Sequence, residues 1–216
     1  MSESAAFFDL YRHGFVRAAV AVPEVRVANT ELNALESIRL LEQAAAKGAC
    51  LIAFPELGLT GYTCDDLFHQ QALLQSAQKA LQALLEASRG HPLVALFGMP
   101  LQVDGSLYNC AVAVCRGRIL GVVPKTYIPN YREFYELRQF TPGDACRRER
   151  IDVCGQNDVP FGSRLLFGAQ DAEGLKIHVE ICEDLWSPIP PSTFGALAGA
   201  TVLANLSASN IVIGKD

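Results

Sequence analysis

Three segments of the chain share one pattern, an apolar run that stops at a single ionisable residue. Cys50 to Phe54 leads through Pro55 into Glu56, and Val122-Val123-Pro124 leads into Lys125. The run from Ile177 to Ile181 leads into Cys182, after which Glu183 and Asp184 follow. A strand that ends abruptly in a reactive side chain presents that group at the rim of an α/β sheet. A thiol, a carboxyl and an amine so presented are the parts needed to hydrolyse an amide. Cys182 supplies the nucleophile. Glu56 takes its proton and later returns one to the departing ammonia. Lys125 places positive charge beside the developing oxyanion and favours the thiolate. The backbone N–H after the cysteine is the natural second oxyanion donor.

Read singly, each residue also has a plain structural role. A cysteine after an apolar strand is often a small core residue, which is the reading for Cys50, Cys110, Cys115 and Cys154. Glu56 can cap a loop and Lys125 can be a solvated strand end. The coincidence of three similar settings carries the chemical reading. A Cys–His dyad finds no support. His178 shares a strand face with Cys182, but four residues at about 3.3 Å each put them roughly 13 Å apart. His13, His69 and His91 sit in polar or loop contexts. No HExxH motif and no His/Cys cluster at ligand spacing suggests a metal.

The chain has 216 residues, half of them hydrophobic and 19% charged, with a net charge of -5. That suits one sizeable ordered domain and argues against nucleic acid as a partner. The only dense basic stretch, Arg147-Arg148-Glu149-Arg150, is short, interrupted by an acid, and reads as a solvated loop. Seven cysteines, an odd number with no C-x-x-C pair, fit free thiols in a reducing cytoplasm. Apolar runs fall short of the about 18 to 20 residues that span a membrane, and Met1 to Asp9 has no basic signal-peptide region. These features predict a soluble cytoplasmic protein.

The elements that must position the three residues alternate between strand and helix. Strands are expected at Phe15 to Val22, Cys50 to Phe54, Leu93 to Gly98, Leu175 to Ile181 and Thr201 to Leu206. Leu107 to Cys115 and Arg118 to Val123 form a hairpin turned by Arg116-Gly117. Thr30 to Lys47 and Asp66 to Ser88 have amphipathic helical spacing, and a short helix falls near Thr193 to Ala198. Wholly apolar strands separated by helices predict a sheet buried on both faces. Tyr127 to Gln170, rich in Pro, Gly, Arg and aromatics and without strong periodicity, reads as a long active-site excursion.

Phe54-Pro55-Glu56-Leu57-Gly58-Leu59-Thr60-Gly61-Tyr62, Pro124-Lys125-Thr126-Tyr127 and Glu180-Ile181-Cys182-Glu183-Asp184 resemble the three catalytic motifs of the nitrilase (carbon–nitrogen hydrolase) superfamily. More narrowly, Tyr127-Ile128-Pro129-Asn130-Tyr131-Arg132-Glu133-Phe134-Tyr135-Glu136 and Ala204-Asn205-Leu206-Ser207-Ala208-Ser209 resemble the glutaminase domains of glutamine-dependent NAD+ synthetases. The similarity runs from His13-Gly14-Phe15-Val16-Arg17 nearly to the last residue.

The resemblance implies an α/β fold, the nitrilase-type four-layer αββα sandwich. It implies Glu56 as base, Lys125 as oxyanion support, Cys182 as nucleophile and Glu136 as a supporting glutamate that orients Lys125. Glutamine would be hydrolysed through a thioester, and its ammonia would pass to a synthetase domain that amidates adenylated deamido-NAD+. Tyr131, Ser209 and position 215 match glutamine-holding positions, and Tyr62 would line the entrance. Lys215 stands where the family's pattern has Arg, which keeps the charge and loses the bidentate fork. The ATP-pyrophosphatase domain is not in residues 1–216, and the family has further strands and helices after the Ser209 loop. The expectation is therefore a truncated glutaminase domain that needs no cofactor itself, with ATP and Mg2+ serving the absent domain. Partners implied are L-glutamine, the synthetase domain of the same full-length chain and a homo-oligomer, with no nucleic acid and no membrane. Two other classes fit the same residues: a stand-alone amidase, carbamoylase or nitrilase, and a non-catalytic nitrilase-like binding module.

Overall fold

A computed structural model describes residues 9–172, 174–211 and 213–214. Five strands form the larger sheet in sequential order: β1 (Ala18–Val20), β2 (Leu51–Ala53), β3 (Val94–Val103), β4 (Ser106–Cys115) and β5 (Arg118–Pro124). The first three are mutually parallel and the last two pairings are antiparallel, so β2, β3 and β5 all run the same way. A ribbon of β6 (Arg150–Val153) and β7 (Gln156–Pro160) follows. The smaller sheet places β9 (Lys176–Ile181) between an antiparallel β8 (Leu166–Gly168) and a parallel β10 (Val202–Leu206). The carboxyl ends of β2, β5 and β9 carry Glu56, Lys125 and Cys182 respectively.

Helices α1 (Thr30–Ala46) and α2 (Gln71–Ser88) cover one face of the larger sheet, where Leu41, Leu81 and Leu84 meet Ile52, Phe97 and Val112. The opposite face brings Leu51, Leu96, Ala111 and Val123 onto Ile177, Val179, Ile181 and Leu206 of the smaller sheet. Outside that sheet lies α3 (Pro191–Leu197), so close that a Cβ on Gly195 would collide with the His178 ring. The layer order is thus helix, sheet, sheet, helix. This is the αββα sandwich that the resemblance implies. Both faces of β3 and β4 are buried, which explains why their sequences read as continuous apolar runs rather than alternating ones.

Several boundaries differ from expectation, each for a physical reason. The first strand shrinks to Ala18–Val20 because it is an edge, and Val20 and Val22 are 85% and 89% exposed. The second helix starts at Gln71 rather than Asp66. A 3₁₀ segment, Tyr62–His69, precedes it and is broken by the positive φ of Asp65. Strand β3 runs on through Pro100 to Val103 and turns into β4 at Asp104-Gly105. That turn, Arg116-Gly117 and Cys154-Gly155 each place two consecutive residues at positive φ, the geometry that matches hairpin twist. The stretch from 127 to 170 is not all excursion. It holds the β6–β7 ribbon and β8; β6 alternates polar and apolar over only four residues, too few to stand out, and β7 and β8 do not alternate.

Candidate active site

Glu56 and Lys125 leave strands that are not neighbours, since β3 and β4 lie between β2 and β5. Glycine closes the gap. Phe54 N–H donates to the Leu96 carbonyl and Leu59 N–H to the Gly98 carbonyl, so the segment after β2 folds across β3. A Cβ on Gly98 would collide with the Pro55 carbonyl and the Leu57 nitrogen. With no side chain there, the segment lies flat and delivers Glu56 to Asn109 of β4.

Lys125 is fully buried and meets both glutamates. Its Nζ lies 2.7 Å from Glu56 Oε1 and 2.7 and 2.9 Å from the two oxygens of Glu136. Glu136 opens a 3₁₀ turn of the excursion and also accepts the Tyr62 hydroxyl at 2.7 Å. Asn109 Nδ2 donates to Glu56 Oε1 at 2.7 Å, and the Ala208 N–H donates to Glu56 Oε2 at 3.1 Å. Every oxygen of the two buried carboxylates is therefore bonded, as buried charge requires. Burial alone would pull the Lys125 ammonium down. The charges of Glu56 and Glu136 outweigh it and hold the amine above its ordinary value.

Cys182 follows β9 with a φ of 46° and begins the 3₁₀ turn Cys182–Trp186. Its thiol is buried and lies close enough to Glu56 and Lys125 to feel both charges. Asp184 fixes the turn: one carboxylate oxygen accepts the N–H groups of Thr126 and Tyr127 at 3.0 and 2.8 Å, the other that of Ile181 at 3.0 Å. One carboxylate thus ties the residues after Lys125 to the residue before Cys182. Burial, then the Glu56 charge, push the thiol up to about 12, against the opposing pull of Lys125. The expectation that Lys125 favours the thiolate holds only as a contribution. In sum the group rests as a thiol.

Residues 17–214 match the family model for carbon-nitrogen hydrolases. The chain belongs to the carbon–nitrogen hydrolase family. It is 46% identical over 209 residues to the glutamine-dependent NAD(+) synthetase of Mycobacterium tuberculosis (strain ATCC 25618 / H37Rv), covering 97% of this chain and 30% of that one. The crystal structure of a glutamine-dependent NAD(+) synthetase from Cytophaga hutchinsonii aligns with a TM-score of 0.77 at 26% identity, over 93% of this chain and 32% of that one. An amidase from Nesterenkonia sp. shares the fold, with a TM-score of 0.68 at 16% identity over 89% and 64% of the two chains. The chain spans about 30% of the length of the curated relatives it matches.

Of the other sequence-predicted residues, three lie in the described part of this carbon–nitrogen hydrolase. Tyr62, expected at the entrance, is half-buried and donates its hydroxyl to Glu136. Tyr131 is exposed and donates to both oxygens of Glu183, the neighbour of Cys182. Ser209 is exposed in the loop after β10, beside Asn210, whose amide donates to Glu133 at 2.7 Å. Lys215 lies outside the described residues. Among the described residues no cluster of His, Cys, Asp and Glu could hold a metal ion, and no helix is long and apolar enough to cross a membrane.

Sequence reasoning did not single out Asn109 or Asp184 as part of the site. Asn109 carried a usable signal, a lone amide inside the buried strand Leu107-Tyr108-Asn109-Cys110-Ala111, where polar groups need a specific partner. Asp184 read as part of an acidic run, yet it is 1% exposed. Its role lies in backbone contacts that no side-chain pattern announces.

Proposed function

We propose that this chain is the glutaminase part of a glutamine-dependent NAD+ synthetase. It hydrolyses the side-chain amide of L-glutamine through a thioester on Cys182. The ammonia serves the ATP- and Mg2+-dependent amidation of deamido-NAD+ elsewhere in the full-length protein, and residues 1–216 form a truncated glutaminase domain. The observation that carries the reading is the closed set of bonds joining Glu56, Lys125 and Glu136 next to the buried Cys182 thiol.

The electrostatics support one order of events. Two carboxylates and one ammonium give the centre a single negative charge while the thiol stays protonated. Ionising the thiol outright would add a second buried negative charge. Passing its proton to Glu56 keeps the total constant. The sulfur therefore attacks the amide carbon as its proton moves to Glu56, and the carbonyl electrons settle on oxygen. Lys125 and the N–H of Glu183, early in its 3₁₀ turn and without an intrahelical acceptor, stabilise that oxygen. Glu56 then protonates the departing ammonia, leaving a thioester. Water, deprotonated by Glu56, hydrolyses the thioester and restores the thiol.

Glu136 and Tyr62 hold Lys125 in place through these steps. Tyr131, Ser209 and Lys215 contact the amino-acid end of glutamine in the same proposal. Assembly as a homo-oligomer in the cytoplasm belongs to it as well, and the free state of all seven cysteines fits a reducing compartment.

Intact mass of the full-length protein after incubation with 6-diazo-5-oxo-L-norleucine tests the reading. One adduct in the wild type and none in Cys182→Ala is the expected result. A folded wild type that takes up no adduct sinks the glutaminase proposal.

A further inference from the structure

We propose that Asn109 decides which oxygen of Glu56 receives the thiol proton, as a positioning residue for the amide hydrolysis proposed above, on which this inference rests. Asn109 is 1% exposed in the apolar strand β4. Its Nδ2 donates to Glu56 Oε1 at 2.7 Å, and that same oxygen receives Lys125 Nζ at 2.7 Å. A carboxylate oxygen offers two lone pairs, so both on Oε1 are taken. Among the described residues Oε2 accepts one hydrogen bond, from the Ala208 N–H at 3.1 Å, which leaves a lone pair for the proton. The amide orientation is fixed by its surroundings, because a carbonyl oxygen turned toward the carboxylate would be repelled.

Asn109 is also tied to the lysine, since its backbone carbonyl accepts the Lys125 N–H at 2.8 Å. Its side-chain oxygen has no hydrogen-bond partner among the described residues, so the amide serves here as a donor alone. The ionisable groups facing Glu56 are Lys125 after β5, Glu136 and Tyr62 from their 3₁₀ segments, and Cys182 after β9. Asn109 adds a neutral donor whose bond does not depend on pH. With Oε1 saturated, the Cys182 proton passes to Oε2 as sulfur bonds the carbonyl carbon. The same proton leaves Oε2 for the departing nitrogen when the C–N bond breaks.

The test uses the full-length protein with Asn109→Leu and Asn109→Asp. The pH dependence of Cys182 alkylation by iodoacetamide is followed by peptide mass spectrometry, beside kcat and KM for glutamine and the melting temperature. Removing one donor makes a carboxylate easier to protonate, so in Asn109→Leu the acid limb of the alkylation profile moves up by about one pH unit. Its kcat falls about 10- to 100-fold while KM stays within about threefold. In Asn109→Asp, of nearly the same volume, a second carboxylate moves the limb further the same way.

A folded variant with an unmoved limb and wild-type kcat overturns the proposal. Joint losses of kcat, KM and melting temperature at an unmoved limb also overturn it, because they mark a merely structural role. Should Asn109→Leu fail to fold, the limb of Asn109→Asp decides. A wild type that alkylates at Cys182 yet hydrolyses no glutamine sinks the glutaminase reading, while the limb still judges Asn109.

Discussion

Lys125 holds the buried centre together. Its ammonium lies within 2.9 Å of three carboxylate oxygens that would otherwise face one another out of water. Removing one partner of such a cluster costs more than the cluster itself contributes, because it strands charge in a low dielectric. Lys125→Met is expected to lower unfolding free energy by about 3–5 kcal/mol, read by chemical denaturation. Adding Glu136→Gln to it removes one of the stranded charges and should restore part of that loss without restoring activity. Stability that does not change in Lys125→Met would contradict the ionised arrangement. Glu56, Lys125 and Cys182 were legible in the sequence because each interrupts an apolar run at a strand end. The net state of the thiol was not, because it depends on burial that arises only when the two sheets pack together.

At the scale of elements, the site depends on joining strand ends from two different sheets, and Asp184 makes that join. Its carboxyl is pushed up to about 7, chiefly by burial, against the N–H groups of Tyr127, Ile181 and Thr126 and the charge of Lys125. The sign follows. Between the ordinary carboxylate range and about pH 7 the folded chain keeps a proton that the unfolded chain has lost. This group's contribution therefore favours the folded state more at low pH and weakens as pH rises through that window. Asp184→Asn should flatten this dependence. It also sets an amide N–H₂ against the Ile181 N–H, so at pH 8 it should cost about 1–3 kcal/mol. Glutamine turnover should drop as the Lys125 and Cys182 ends lose register. Thermal unfolding at pH 5 and pH 8 checks the slope, and an unchanged slope would refute the assignment. The helices and the β4–β5 hairpin could be read from periodicity and Arg116-Gly117. The ribbon and β8 could not, since strands of three to five residues are too short for a period of two to be told from chance.

At the scale of the whole molecule, two sheets meet so that the carboxyl ends of β2, β5 and β9 open on one rim. The four-layer order was legible only through the family motifs. Composition predicted a doubly covered sheet, and nothing in the periodicity required a second sheet behind it. Of the chain's net charge of -5, one unit sits in the buried centre, where two carboxylates face one ammonium. That surplus bears on how tightly a charged product binds. In the proposed hydrolysis the amide that enters is neutral, whereas the acid left behind ionises beside two fixed carboxylates. The acid should therefore bind weakly and leave readily, with the equilibrium of the hydrolysis unchanged. L-Glutamate is accordingly expected to inhibit with a constant at least about tenfold above the KM for glutamine, since like charges a few ångströms apart repel by more than 1.4 kcal/mol at an effective dielectric of about 20. A glutamate constant near the glutamine KM, measured by steady-state inhibition of the full-length protein, would show that the surplus is neutralised during turnover and that departure of the acid needs another driving force.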